Sequence, residues 1–127
     1  MPNTIQVTAC DNELILLAYQ GEGSYELCRI LSGNEARVNV TLQILQGQYN
    51  GSVLLNGMQQ GLEGTFQVYL EPGNYSLLLL GINWDGPTQF AVNVGTQTYS
   101  MPPQNAPEGL AWHPDPIGLL RTYKPEG

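Results

Sequence analysis

The stretch Ala36-Arg37-Val38-Asn39-Val40-Thr41-Leu42-Gln43-Ile44 decides the fold, because apolar and polar residues alternate along it without a break. A period of two is the repeat of a β-strand that buries one side and exposes the other to water. The same alternation returns at residues 4–9, 65–70 and 89–94. The sequence therefore predicts an all-β protein.

Two further stretches, residues 14–19 and 75–82, are apolar at nearly every position. Such runs predict strands that are covered on both sides. The first run is also compatible with a short helix capped by Asp11 or Asn12. The β-patterns around it favour a strand.

Turn signals separate these stretches. The dipeptides Asn50-Gly51, Asn56-Gly57 and Asp85-Gly86 are typical of tight hairpin turns, because Asn, Asp and Gly tolerate a positive φ. Short strands between regularly spaced turns indicate an antiparallel β-sandwich, jelly-roll or immunoglobulin-like, with roughly eight to ten strands.

The segment Leu70-Glu71-Pro72-Gly73-Asn74-Tyr75 resembles the tyrosine corner of immunoglobulin-like and fibronectin-like sandwiches. The resemblance implies that a turn at Pro72 leads into a strand, and that Tyr75 bonds back to the backbone upstream. It concerns architecture and implies no activity.

Composition limits the partners. The chain has 127 residues, a net charge of −7 and only 12% charged residues, so its polar surface is built mainly from 11 Gln, 10 Asn and 8 Thr. Binding to phosphates depends on Lys and Arg, and the chain has only Arg29, Arg37, Arg121 and Lys124. We therefore expect no nucleic-acid partner and no binding to an anionic membrane.

The first residues show neither a basic region nor an apolar core, so we expect no signal peptide and a virion or cytoplasmic location. Cys10 and Cys28 could pair across adjacent strands or remain buried thiols. With one histidine and no CxxC motif we expect no metal. The chain lacks nucleotide-binding and hydrolase motifs, so we expect no cofactor.

Residues 102–127 differ from the predicted sandwich domain, residues 1–101, because they hold six of the nine prolines. Proline at this density forbids a helix and predicts an extended, stiff segment, here called the C-terminal arm. Apolar side chains in the arm make it a docking element, either on its own sandwich or on a neighbouring subunit. These residues are Leu110, Trp112, Ile117, Leu119, Leu120 and Tyr123.

Two places could carry chemistry. His113 has no catalytic constellation around it in the sequence, so we expect no catalytic residues and no enzyme. Asn83, Trp84 and Asp85 place an indole, an amide and a carboxylate on one predicted loop, which suits a neutral sugar. Alternatively, Trp84 folds back and caps the core.

The sequence as a whole indicates a structural or interaction protein that acts by protein–protein docking. Its amide-rich, cation-poor composition resembles small phage virion proteins, such as capsid decoration or tail accessory proteins. We therefore expect protein subunits as partners, and a homo-oligomer. A carbohydrate-binding module or lectin that binds a glycan at Trp84 is the alternative.

Overall fold

The computed structural model describes residues 4–32, 37–57 and 61–122. Within these ranges the chain forms eleven strands and no helix, so no described segment is a helix that could cross a membrane. The strands are β1 (Thr4–Asp11), β2 (Glu13–Gln20), β3 (Gly23–Leu31), β4 (Arg37–Gln46), β5 (Val53–Asn56), β6 (Glu63–Leu70), β7 (Gly73–Asn83), β8 (Pro87–Val94), β9 (Gln97–Asn105), β10 (Gly109–Trp112) and β11 (Ile117–Thr122).

The strands form two packed sheets. Sheet 1 has the order β6-β4-β1-β8-β9, and sheet 2 has the order β10-β7-β2-β3-β5, with β11 also paired to β7. All pairings are antiparallel except β4 with β6 and β3 with β5. The all-β sandwich predicted from the alternation is confirmed, and residues 14–19 belong to a strand.

The connections differ from the prediction. The three turn dipeptides were expected to close hairpins, but the strands that flank Asn50-Gly51 and Asp85-Gly86 lie in different sheets. The strands on either side of Asn56-Gly57 are likewise divided between the sheets. The tight hairpins instead follow β2 and β8, where Gly21 and Gly95 adopt positive φ angles of 58° and 61°.

The predicted corner is present. The Tyr75 hydroxyl donates a 2.7 Å hydrogen bond to the Glu71 carbonyl, four residues upstream. The Tyr75 ring is buried and meets Tyr25 edge to face, with ring centroids 6.2 Å apart. This local feature is shared with many sandwiches, so the closer relationship to immunoglobulin-like domains stays a prediction.

The core between the sheets is closed at one edge by the C-terminal arm. Phe90 of β8 is fully buried, and a Cβ atom added to Gly81 of β7 would lie 2.7 Å from its ring. Trp112 is paired with Gly81 and stacks on Phe90, with centroids 5.4 Å apart and ring planes 2° apart. Ile117, which is paired with Leu77, is 9% exposed.

The described part of the arm therefore covers an edge of its own sandwich. Strands β10 and β11 pair with successive parts of β7, and residues 113–116, with Pro114 and Pro116, separate them. Proline lacks the N–H that a ladder requires, which explains this interruption. Strands β1 to β9 agree with the eight to ten strands expected for the sandwich, and the described part of the arm adds two more. The expected boundary between residues 101 and 102 falls within β9.

Candidate functional site

The two sheets present opposite chemistry on their outer faces. On sheet 1 the outward side chains are mostly amides and hydroxyls, several of which bond to one another across the strands, and the paired Leu45 and Tyr69 are an apolar exception. Such a face is satisfied in water and needs no cover. The bonds, given as donor and acceptor, are Gln6–Asn39 (3.4 Å), Asn93–Gln6 (3.4 Å), Gln67–Gln43 (3.3 Å) and Thr98–Asn93 (2.8 Å).

The outer face of sheet 2 is aliphatic. Residues 75, 77 and 79 of β7 point into the core, so the alternate residues of that strand point outward. The register aligns them with outward residues of the neighbouring strands. We call this surface the apolar face. It consists of Leu17 on β2, Leu78, Leu80 and Ile82 on β7, Leu54 on β5 and Leu110 on β10, with Ile15 of β2, which is only 9% exposed, aligned with Leu80.

The most exposed apolar side chains of the described residues also belong to this surface. Leu54 is 67% exposed and Leu110 is 55% exposed, at opposite edges of the sheet. Trp84 is 56% exposed, and its indole N–H donates a 3.0 Å bond to the Glu13 carboxylate. Glu13 is aligned with Ile82 on the outward side, so Trp84 lies at one end of the apolar face.

One charged cluster interrupts the face. The Arg29 guanidinium bonds to Glu13 at 3.2 Å and to Glu26 at 2.7 Å. Partial burial raises the pKa of Glu26, but hydrogen bonding from Arg29 and Ser52 and the positive charge of Arg29 together outweigh burial and leave that pKa below its ordinary value. The hydrogen bond to Glu26 raises the pKa of Arg29 in turn. Glu26 and Arg29 therefore hold each other in the charged form, and the two carboxylates and one guanidinium give the cluster a formal charge of −1.

The Trp84 loop is held by two asparagines. The Asn12 side-chain carbonyl accepts the Trp84 backbone N–H at 2.8 Å. Asn83 donates to the carbonyls of Gly86 (3.0 Å) and Ala106 (2.9 Å), and it is 1% exposed. Asn83 therefore positions the loop from within. This arrangement fixes the Trp84 ring before any partner arrives.

The three residues expected to bind a glycan thus differ in their exposure to solvent. Trp84 and Asp85 are exposed, whereas Asn83 is buried and its amide hydrogens are used inside the protein. The indole does not cap the core, because its ring projects beside Glu13.

The arm residues that were expected to dock also lie in different surroundings. Trp112 and Ile117 pack into their own core, and Leu110 faces outward. Leu119 and Leu120 lie in β11, where the backbone of Leu120 is paired with Tyr75. Tyr123 lies outside the described residues.

Sequence reasoning missed the apolar face itself, and Leu54 in particular. The two all-apolar runs are the signal. The prediction that both sides are covered holds for Leu14, Ile15 and Leu16 of β2, which are buried, but the alternate residues of β7 are partly exposed. Within the described residues, no third sheet and no helix covers the outward side of β2 and β7.

Other candidate chemistry is sparse. Cys10 and Cys28 are buried free thiols on different sheets. The described residues contain no cluster of side chains suited to a metal ion. His113 is exposed in the connection between β10 and β11.

The fold and the surface together define a class: a two-sheet β domain with one amide-covered outer face and one apolar outer face. No protein-family model matches the chain, and comparison with curated proteins and with solved structures found no significant match.

Proposed function

We propose that this protein is a non-enzymatic interaction protein that docks onto another protein surface through the apolar face of sheet 2. The observation that carries the proposal is the placement of Leu54, Leu110 and Trp84, the large apolar side chains with the greatest exposure among the described residues, on this one face. Scattered exposed leucines are ordinary, but a contiguous apolar patch of several hundred Å² marks an interaction site.

The composition of the face supports the same conclusion. Tryptophan and arginine contribute most often to the binding energy of protein interfaces, and Trp84 and Arg29 are both held in place by Glu13. The aliphatic side chains project from paired strands, so little conformational freedom is lost when a partner binds. The amide face of sheet 1 is left to meet solvent.

The composition favours one specific role for such a docking protein. This role is structural, as a capsid decoration or tail accessory protein of a virion. The chain has few cations, an amide-rich surface and an edge covered by its own C-terminal strands. Such a protein would sediment with intact particles and would be absent from the soluble fraction.

Hydroxyl-radical footprinting tests the docking surface directly. Oxidation is measured at Trp84, Leu54 and Leu110 in the isolated chain at high dilution and in native assemblies from the source. We expect severalfold protection at these residues in the assembly, and no protection at Tyr69, which is on the outward side of sheet 1. Equal oxidation of the face in both samples, or protection confined to sheet 1, would refute the proposal.

Glycan binding is a second candidate, which the exposure and fixed orientation of the Trp84 ring favour. A flat indole next to the exposed Asp85 offers a stacking surface and a hydrogen-bond acceptor. Calorimetric titration with neutral oligosaccharides tests it. A lectin loses binding on Trp84→Ala and keeps it on Leu54→Glu, because Leu54 lies at the far edge of the sheet. A docking surface is impaired by both substitutions.

A further inference from the structure

We infer that the partner of the apolar face is a second copy of this chain, placed back to back about a twofold axis. The inference rests on the proposed docking function and adds the identity of the partner. It follows from the size of the face, its charge and the chemistry that can match it.

The face is large enough for a stable dimer. Five strand positions spaced about 4.8 Å apart give a width of about 24 Å, and the seven-residue register of β2 with β7, at about 3.4 Å per residue, gives a similar length at the centre of the sheet. One face therefore covers at most about 600 Å², and two copies bury at most about 1,200 Å², at the lower end of the range for specific interfaces.

The charge on the face is small enough for an identical copy to meet it. Two carboxylates and one guanidinium give the face a formal charge of −1, and Arg29 is paired with Glu13 and Glu26 of its own chain. A second copy offers an aliphatic surface of the same extent, and its charged cluster is already satisfied.

Sheet geometry is compatible with this arrangement. Twisted sheets pack face to face about 10 Å apart with their strands nearly aligned, so the outward leucines of two copies can interdigitate. In a twofold interface each residue occurs twice, and every substitution therefore acts twice. Each copy carries a formal net charge of −7, so the two copies repel one another in the dimer. Added salt should screen this repulsion and tighten the dimer.

The test measures mass by light scattering and sedimentation over a concentration series reaching about 0.1 mM. We expect a particle of twice the 13.9 kDa chain mass, with a dissociation constant that falls as salt is added. Leu110→Glu, at a position already 55% exposed, should raise this constant at least about tenfold without unfolding the chain. Leu17→Glu, near the centre of the face, should abolish the dimer.

Thr65→Glu is the matched control, because it adds the same charge to an exposed site on edge strand β6 of sheet 1. It should change the dissociation constant less than about twofold. In a Trp112→Phe background, the remaining Trp84 should show a blue-shifted emission when the dimer forms. Circular dichroism and thermal melts confirm that each variant is folded.

The outcomes separate the two proposals. A wild-type chain that stays monomeric at every concentration and salt level overturns the dimer. If the face is nevertheless protected in native assemblies, docking to a different protein stands. A dimer that resists both Leu110→Glu and Leu17→Glu is formed by another surface and also overturns the inference.

Discussion

Replacing Trp112 by alanine tests whether the C-terminal arm is part of this chain's own core. The substitution removes a partly buried indole that stacks on fully buried Phe90 at a centroid distance of 5.4 Å. Deleting a fully buried tryptophan costs about 3–5 kcal/mol. Since Trp112 is partly exposed, we expect about 2 kcal/mol, of which about 0.5–1.5 kcal/mol comes from the ring pair.

Urea unfolding followed by circular dichroism measures this loss. With a slope of about 2 kcal/mol per molar urea, the midpoint should fall by about 1 M. Amide exchange gives a local readout at Gly81 and Asn83, whose strand pairs with β10. Opening of this edge should become about thirtyfold more frequent.

Two variants serve as controls. Trp112→Phe keeps an aromatic ring against Phe90 and should lose less than about 1 kcal/mol. Glu108→Ala lies just before β10 at an exposed position and should stay within about 0.5 kcal/mol of the wild type. If Trp112→Ala unfolds at the wild-type midpoint with unchanged exchange, the arm does not stabilise its own sandwich. The alternative that it docks on a neighbouring subunit would then be correct.

Three further predictions concern the core. Tyr75→Phe removes the corner hydrogen bond and should lower the free energy of unfolding by about 1 kcal/mol in urea titrations. Gly81→Ala forces a methyl group against the Phe90 ring and should cost about 1–3 kcal/mol, measured in the same way. Burial raises the pKa of Cys28 from 9.0 to about 12 and also raises the pKa of Cys10, so neither thiol should react with a disulfide reagent at pH 8 until the chain is unfolded.

Each of these predictions has its own check. Tyr75→Phe with unchanged stability would mean that the corner bond contributes nothing. Phe90→Leu should suppress the penalty of Gly81→Ala in a double-mutant cycle, and additive losses would contradict the proposed clash. Unfolded thiols ionise near pH 9 while the folded Cys28 stays protonated. Stability should therefore fall between pH 9 and 12 by at most about 1.4 kcal/mol per pH unit for that thiol. Cys28→Ala should remove this contribution.

The Trp84 loop shows which features of a site can be predicted from a local sequence pattern and which cannot. The sequence identified the loop, because an aromatic residue between Asn83 and Asp85 is unusual in a turn. It did not identify Glu13 or Asn12, which orient the ring and the loop from more than 70 residues away. Contacts between residues so far apart in the sequence depend on the order of the strands in the sheet, and the turn residues do not determine that order.

Sheet order is the main feature that the sequence left open. Asn50-Gly51 and Asp85-Gly86 mark reversals of the chain, and a reversal occurs whether the next strand pairs with its predecessor or crosses to the other sheet. The structure shows crossings at both places. The choice is made by burial of the whole strand against distant partners.

The strand residues, the tyrosine corner and the cation-poor composition were determined by the sequence itself, because a period of two and a four-residue hydrogen bond are local properties. The tertiary structure decided which apolar residues remain outside. Leu110 and Trp112 are two positions apart and would share a face in a regular strand. A register shift between them turns Leu110 outward beside Ile82 and Trp112 inward onto Phe90. An irregularity of one residue thus divides the arm between the core and the proposed docking surface, and only pairing with β7 fixes where it falls.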